Sequence, residues 1–145
     1  MKKIFAVTFV TLSLLLFAVT SYAPAQTSTP RADFVINCAD KVLSAPAGTT
    51  VAFQLSLSPV NGFNGSATFA CVSGMPGVTC RAPEGTVRLG PTAVVPFEVT
   101  AETGATAVTG TYPIMVTVKG IYGPTANGSV THNEMLHLNT ITPTL

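Results

Sequence analysis

The chain has 145 residues, of which 9% are charged, and its formal net charge is +1. This balance excludes a protein that relies on bulk charge to bind nucleic acid or an anionic membrane. The abundance of Gly and Pro, the few charges and the absence of Trp favour an exported all-β protein over a helical one.

The first 25 residues have the pattern of a secretory signal peptide. Lys2 and Lys3 form a basic start, residues 4–19 are apolar or small, and residues 23–25 (Ala-Pro-Ala) match the pattern that a signal peptidase recognises. The uncharged run of about 16 residues is short for a spanning helix, which favours cleavage after Ala25 over an uncleaved anchor. Five basic and six acidic residues then remain, and no later stretch is apolar enough for membrane insertion.

Residues 26–32 are polar and are predicted to form a flexible leader, followed by one domain over residues 33–145. In this domain, apolar and polar residues alternate between turns that contain Gly, Pro and Asn. This period of two indicates half-buried β-strands, and residues 51–57 show it most clearly. The predicted strands, in chain order, are 34–38, 51–57, 67–71, 78–82, 86–89, 95–99, 112–119 and 130–138.

Turn residues and prolines divide the chain into short segments. Asn-Gly pairs and the Gly-Met-Pro-Gly stretch at 74–77 favour chain reversals. Pro96 and Pro113 lack the amide proton of a strand ladder, so we expect them at edges or strand starts. No helical stripe follows residue 26. Seven to nine short strands with one apolar face each predict two packed sheets, which is a β-sandwich.

Four stretches resemble the immunoglobulin-like modules of bacterial exported and surface proteins. They are SPVNGFNGSATFAC (58–71), SGMPGVTC (73–80), GTYPIMVTVKG (110–120) and its partner THNEMLHL (131–138). The resemblance covers about residues 33–140. It implies an immunoglobulin-like Greek-key sandwich in a secreted, periplasmic or cell-surface protein. The same architecture hosts many roles, so the resemblance indicates little about function.

The resemblance also implies a structural role for one tyrosine. In such modules, a tyrosine at the entry to a late strand donates its hydroxyl to upstream backbone, and Tyr112 stands at that place. The alternative is a core aromatic whose hydroxyl reaches the surface. The sequence departs from antibody domains, because it lacks Trp and has Ile114 where their second cysteine lies. Their inter-sheet disulfide is therefore not expected.

Three cysteines allow three single pairings, and an exported protein can keep a disulfide. The turn at 74–77 can bring Cys71 and Cys80 together, and the resemblance implies that this spacing is bridged. Cys38 would then be a free thiol with the strand parity of Phe34. It is either a buried, small apolar residue or, as the less favoured account, an exposed thiol that is reactive or links two copies through a disulfide.

The sequence contains no motif for a metal site or for catalysis. A structural zinc site needs four ligands and a redox pair needs C-x-x-C, and neither pattern occurs. His132 and Glu134 share a strand face, but His137 has the opposite parity and no Asp is near in sequence. We therefore predict solvent-facing or rim residues there. No nucleophile elbow, P-loop or EF-hand is present, so we predict no enzyme activity and no cofactor.

The favoured function is a non-catalytic module for protein–protein contact, adhesion or envelope scaffolding, with an unidentified protein or envelope partner. The candidate contact residues are Phe63 in the loop 61–65 and Tyr122 in the GIYGP turn at 120–124. The other interpretation of Phe63 is a plug at the end of the sandwich. A carbohydrate-binding module is the alternative function, with Tyr122 as the stacking platform, although the absence of Trp weighs against it. An enzyme is the third hypothesis.

Overall fold

Residues 28–142 are described by the computed structural model, and they form β-strands without a helix. The predicted signal peptide lies outside the described residues. No helix of residues 28–142 is long and apolar enough to cross a membrane. The strands are β1 (Asp33–Cys38), β2 (Val42–Pro46), β3 (Thr50–Val60), β4 (Gly65–Ser73), β5 (Val78–Arg81), β6 (Thr86–Leu89), β7 (Val95–Thr103), β8 (Gly110–Tyr122) and β9 (Gly128–Ile141).

The strands form two packed sheets. The four-stranded sheet has the order β1-β3-β7-β5, and the five-stranded sheet has the order β2-β9-β8-β4-β6. All neighbours are antiparallel except β2 and β9, which run parallel. The predicted all-β sandwich is therefore confirmed, and the nine strands of the described part match the upper end of the expected number.

β2 is not among the strands predicted from the sequence. The chain leaves the four-stranded sheet after Cys38 and enters the five-stranded sheet at Val42, so β1 and β2 close one side of the sandwich. β2 has only five residues and ends at Pro46, which hides its period of two. Its pairing with β9, rather than its own sequence, makes it a strand.

One face of each long strand supplies the core. Along β3, the side chains of Phe53, Leu55 and Leu57 are buried while those between them are not. Burying a side chain of this size contributes about 1.5–3 kcal/mol. The parity predicted for this strand is therefore the one observed. The largest fully buried aromatic side chains are Phe34, Phe53 and Phe63.

Both prolines lie near strand starts, where the ladder is incomplete. Pro96 is the second residue of β7, and β5 pairs with β7 only from Thr100 onward. Pro113 lies in β8 just before Ile114, which is the last β8 residue paired with β4. Neither missing amide proton therefore interrupts a ladder on that side.

Candidate functional site

One end of the sandwich gathers several connecting segments, and we call it the loop end. The β3–β4 loop (61–64), the β6–β7 loop (90–94) and the β8–β9 loop (123–127) lie there. Residues 28–32 also reach it, because Asp33 at the start of β1 pairs with Val60 at the end of β3. Loops on a rigid sheet scaffold are common places for binding residues.

Two of these loops contain residues in the left-handed backbone region. Asn61 and Gly62 have φ angles of 51° and 71°, as expected for an Asn-Gly turn, and here the turn leads from β3 in one sheet to β4 in the other. In the β8–β9 loop, Gly123 has a φ of 95° and Ala126 a φ of 52°. Alanine is uncommon in this region, so the surrounding loop holds Ala126 in a conformation that it does not favour by itself.

A cleft of about 540 Å³ opens between these two loops and the outer face of the five-stranded sheet. Its floor consists of Ser66, Arg88 and Ile121, which lie side by side because Ser66 pairs with both neighbours. Asn64 and Tyr122 also line it. This volume is within the range of small-ligand sites. The lining contains no carboxylate, imidazole or thiol.

Tyr122 lines the cleft, but its ring is held by neighbours. Its centroid lies 5.3 Å from that of Phe63, and its hydroxyl accepts a hydrogen bond of 2.7 Å from Arg31 Nε. A Cβ atom added to Gly128 would lie 2.6 Å from the ring, so the Gly128 backbone packs directly against it. Tyr122 is therefore a wall of the cleft and not a free-standing platform for a sugar ring.

The prediction of Phe63 as a contact residue is wrong for its side chain, which is fully buried. The Phe63 ring packs edge-on against Phe34, with centroids 5.4 Å apart. The turn at Asn61 and Gly62 directs the ring inward, where burial of its apolar surface stabilises the fold more than exposure would. Phe63 thus plugs the loop end of the core.

Arg31, in the predicted leader, connects three segments of the loop end. Its guanidinium donates to the hydroxyl of Tyr122 and, through Nη2, to the carbonyl oxygen of Ser129 at 2.9 Å. Its own carbonyl oxygen accepts a hydrogen bond of 3.0 Å from Asn61 Nδ2. The chain just before β1 is therefore attached to the β3–β4 loop, to β8 and to β9.

Asp33 and His132 form a hydrogen-bonded pair that was not predicted from the sequence, and it is an ion pair when the imidazole is protonated. His132 Nε2 lies 2.6 Å from Asp33 Oδ1, although the residues are 99 positions apart. The pair joins β1 of one sheet to β9 of the other. Burial by itself raises the pKa of the Asp33 carboxyl, but the hydrogen bonds from His132 and the Phe34 amide and the charges of His132 and Arg31 outweigh it and lower that pKa.

We expect the Asp33 pair to make stability depend on acid pH. Because the pKa of the Asp33 carboxyl is lower in the folded state, the stabilisation by this carboxylate is complete above the unfolded pKa of about 3.9. It is lost as the pH falls through the folded pKa. Asp33→Asn should remove about 0.5 kcal/mol at neutral pH, the usual size for an exposed pair. Urea unfolding between pH 7 and pH 2.5 measures this. The control is Asp40→Asn, because Asp40 forms no ion pair within residues 28–142; an equal loss in both variants would contradict the assignment.

Glu134 and His132 share the core-facing side of β9 at the rim of the sandwich, and His137 lies on the other face. The Glu134 side chain forms an ion pair with Lys41. The hydrogen bond to Glu134 is the main cause that raises the pKa of the Lys41 ammonium. Within residues 28–142, no three His, Cys, Asp or Glu side chains come together as a metal site.

The disulfide joins Cys71 in β4 to Cys80 in β5, with their Cα atoms 6.0 Å apart. Because β4 belongs to the five-stranded sheet and β5 to the four-stranded sheet, the bond connects the two sheets. The turn at 74–77 therefore reverses the chain and also leads it from the five-stranded sheet to the four-stranded sheet.

Cys38 is half-buried, packs against the core and donates its thiol hydrogen to the carbonyl oxygen of Asp40 at 3.2 Å. Burial raises the pKa of this thiol, and the negative charge of Glu134 acts in the same direction. A raised pKa lowers the thiolate fraction at neutral pH, and the thiolate is the reactive species. These features favour the apolar account of Cys38 over the reactive one.

Tyr112 is buried at the start of β8, and its hydroxyl donates to the carbonyl oxygen of Val108 at 2.8 Å. This bond to backbone four residues upstream is the geometry of a tyrosine corner. The Thr140 hydroxyl donates to the same carbonyl, so two side chains hold the segment that enters β8.

We expect Tyr112→Phe to lower the free energy of unfolding by about 1 kcal/mol, since it removes one hydrogen bond without leaving the Val108 carbonyl unpaired. Chemical denaturation followed by circular dichroism measures the change. Tyr122→Phe is the matched control, and it should cost less because the bond from Arg31 is exposed. A Tyr112 effect no larger than that of Tyr122 would argue against a structural role of the corner.

An exposed apolar patch lies on the outer face of the five-stranded sheet, toward the other end. It consists of Val72, Met115 and Met135, which the register places side by side on β4, β8 and β9. Their exposed fractions are 60%, 40% and 45%. Each looks like an isolated outward residue in the sequence, and only the strand pairing brings them together.

No protein-family model matches the sequence, and no curated protein matches it. Among solved structures, the fold is similar to domains 4 and 5 of the S-layer protein SbsC, with a TM-score of 0.52 and 13% identity over 77% of this chain and 54% of that one. It is also similar to the PapD-like domain 7 of human CEP192, with a TM-score of 0.58 and 14% identity over 88% of this chain and 98% of that one.

A third similar structure is a family 123 glycoside hydrolase from Clostridium perfringens, with a TM-score of 0.51 and 8% identity over 80% of this chain and 28% of that one. The chain spans about half the length of the S-layer fragment that it matches. At such identities the likeness concerns the fold alone. Residues 28–142 therefore adopt an immunoglobulin-like β-sandwich.

Proposed function

We propose that this chain is an exported, non-catalytic immunoglobulin-like module that makes protein–protein contacts through its loop end, in adhesion or envelope scaffolding. The observation that carries the proposal is the open cleft of about 540 Å³ between the loops 61–64 and 123–127. Its lining offers hydrogen-bonding groups and one cation, but no carboxylate, imidazole or thiol for acid–base or nucleophilic catalysis.

Several features support this proposal. The signal-peptide pattern of residues 1–25 favours a secreted, periplasmic or cell-surface location. The occurrence of the fold in an S-layer protein is compatible with a surface setting. The loop end is well suited to contact, because Arg31 and the buried ring of Phe63 hold its segments together. A preorganised surface loses less conformational entropy on binding.

The test uses the mature protein as bait against a solubilised native envelope. We expect Ser66→Tyr, which fills the cleft floor, to abolish retention of a specific protein. Thr79→Tyr should retain it, because this exposed residue lies on the opposite sheet. The captured protein is identified by mass spectrometry and its affinity is measured with both variants. Retention no greater than that of an unrelated sandwich, or unchanged by Ser66→Tyr, would overturn the proposal.

A carbohydrate-binding module is the second candidate, because Tyr122 and Asn64 both line the cleft. The packing of Tyr122 against Gly128 and Phe63 disfavours a stacking role. A glycan array with the wild type, Ser66→Tyr and Tyr122→Ala decides between the two. A glycan signal lost in both variants, with no protein captured from the envelope, would replace the first proposal by the second.

A further inference from the structure

The cleft floor continues into a polar strip on the outer face of the five-stranded sheet. In one row, Ser66 lies between Arg88 and Ile121; in the next, Thr68 lies between Thr86 and Lys119. Arg88 on β6 and Lys119 on β8 are separated by two strand spacings across the sheet and by two residues along it. This places their Cα atoms about 12 Å apart. We call Ser66, Thr68, Arg88 and Lys119 the basic strip.

The two cations of the basic strip have no acidic partner. Neither forms an ion pair within residues 28–142, and the one polar contact of the Arg88 guanidinium is a hydrogen bond of 3.4 Å to Asn64 Oδ1. The single carboxylate in the strands of this sheet, Glu134, is on the core-facing side and pairs with Lys41. The outward strand positions of this sheet therefore carry two cations and no carboxylate.

The opposite face of the sandwich has a different balance. The outward positions of β7 carry Glu98 and Glu102, and β5 adds Arg81. Charge is thus separated between the two outer faces, although the chain as a whole is nearly neutral. Such a separation directs an acidic partner toward the face with the cleft and away from the other one.

The apolar patch on the same face favours a protein over an acidic polysaccharide. Met115 in this patch and Lys119 in the basic strip both point outward from β8, four residues apart, which corresponds to about 13 Å. A partner that covers both needs carboxylates and apolar side chains together. An extended polypeptide spans the distance between Arg88 and Lys119 in about four residues.

We infer that the basic strip and the cleft bind an extended acidic segment of a partner protein, with two carboxylates about four residues apart that pair with Arg88 and Lys119. Arg88 is suited to a carboxylate because its planar guanidinium can donate two parallel hydrogen bonds. The inference rests on the proposed contact function and specifies the chemistry of the partner at that site.

The test is an NMR titration of the isotopically labelled mature protein with a blocked nonapeptide. This peptide carries two Asp four positions apart among Ser, Gly and Val, and its counterpart carries Asn at both places. We expect only the Asp peptide to shift amide signals around the cleft. The dissociation constant should rise about five- to tenfold in the R88Q/K119Q double variant. R81Q, which removes one positive charge from the opposite face, should leave the dissociation constant unchanged.

Several results would overturn the inference: equal binding of the Asn peptide, equal weakening by R81Q, or binding of a sulfated oligosaccharide in place of the peptide. Self-association that depends on Arg88 and Lys119, seen by sedimentation without peptide binding, would identify a second copy as the occupant instead. If the double variant still captures the envelope partner as the wild type does, the inference of an acidic partner segment is wrong, but the proposed contact function stands. If the wild type captures nothing, the contact function itself fails.

Discussion

Removal of the disulfide between Cys71 and Cys80 is expected to lower the free energy of unfolding by about 2–3 kcal/mol. The bond closes a short loop, with a sequence separation of 9, and this restricts the unfolded chain. It also connects the two sheets at the edge where β5 has only one strand partner, β7. A loss of this size is a large part of the stability of a domain of this length.

Urea unfolding of Cys71→Ser/Cys80→Ser against the wild type measures the effect. Reduction of the wild type with dithiothreitol should reproduce it, and the double variant should not respond to the reductant. Cys38→Ser is the control, because that thiol is not bridged. Unfolding midpoints that agree in all proteins would show that the bond does not stabilise the sandwich.

Gly120→Ala is expected to destabilise the protein by about 1–3 kcal/mol through overpacking. Gly120 is buried in β8, and a Cβ atom there would lie 2.6 Å from Cε1 of Phe34 and 2.8 Å from Cζ of Phe63. These rings already pack edge-on against each other, so they cannot move apart without leaving a gap. The glycine provides the room for both rings at the loop end.

Gly110→Ala is the matched control, because Gly110 lies in the same strand and a Cβ atom there meets no heavy atom within 4 Å. We expect it to change the free energy of unfolding by less than about 0.5 kcal/mol. Thermal and urea unfolding of both variants give the comparison. Equal effects would mean that the two phenylalanine rings do not set the requirement for glycine in β8.

The loop end shows where prediction of a site from the sequence reaches its limit. Asn61-Gly62 was a predictable turn, because its residue types favour positive φ angles. Whether Phe63 points outward or inward was not predictable, since the residue follows a turn and has no strand parity. Its burial depends on Phe34 and Gly120, which come from two other strands.

Sequence patterns do not reveal side-chain pairs between distant parts of the chain. The parity of His132 and Glu134 on one strand face was correctly inferred, but their partners were not. Asp33 begins β1 and Lys41 lies just before β2, and both reach β9 only because that side of the sandwich closes there. Strand pairing likewise creates the basic strip on β4, β6 and β8.

The sequence by itself determined the strand periodicity, the turn positions and the all-β class, because these depend on local alternation and on Gly, Pro and Asn chemistry. Only the tertiary structure decided that the Cys71–Cys80 bond joins two sheets, that Phe63 is buried, and that Arg88 and Lys119 share a face with a cleft. The physical reason is that sheet order and register are collective. They result from burial of one-sided strands against each other, and no single segment contains that information.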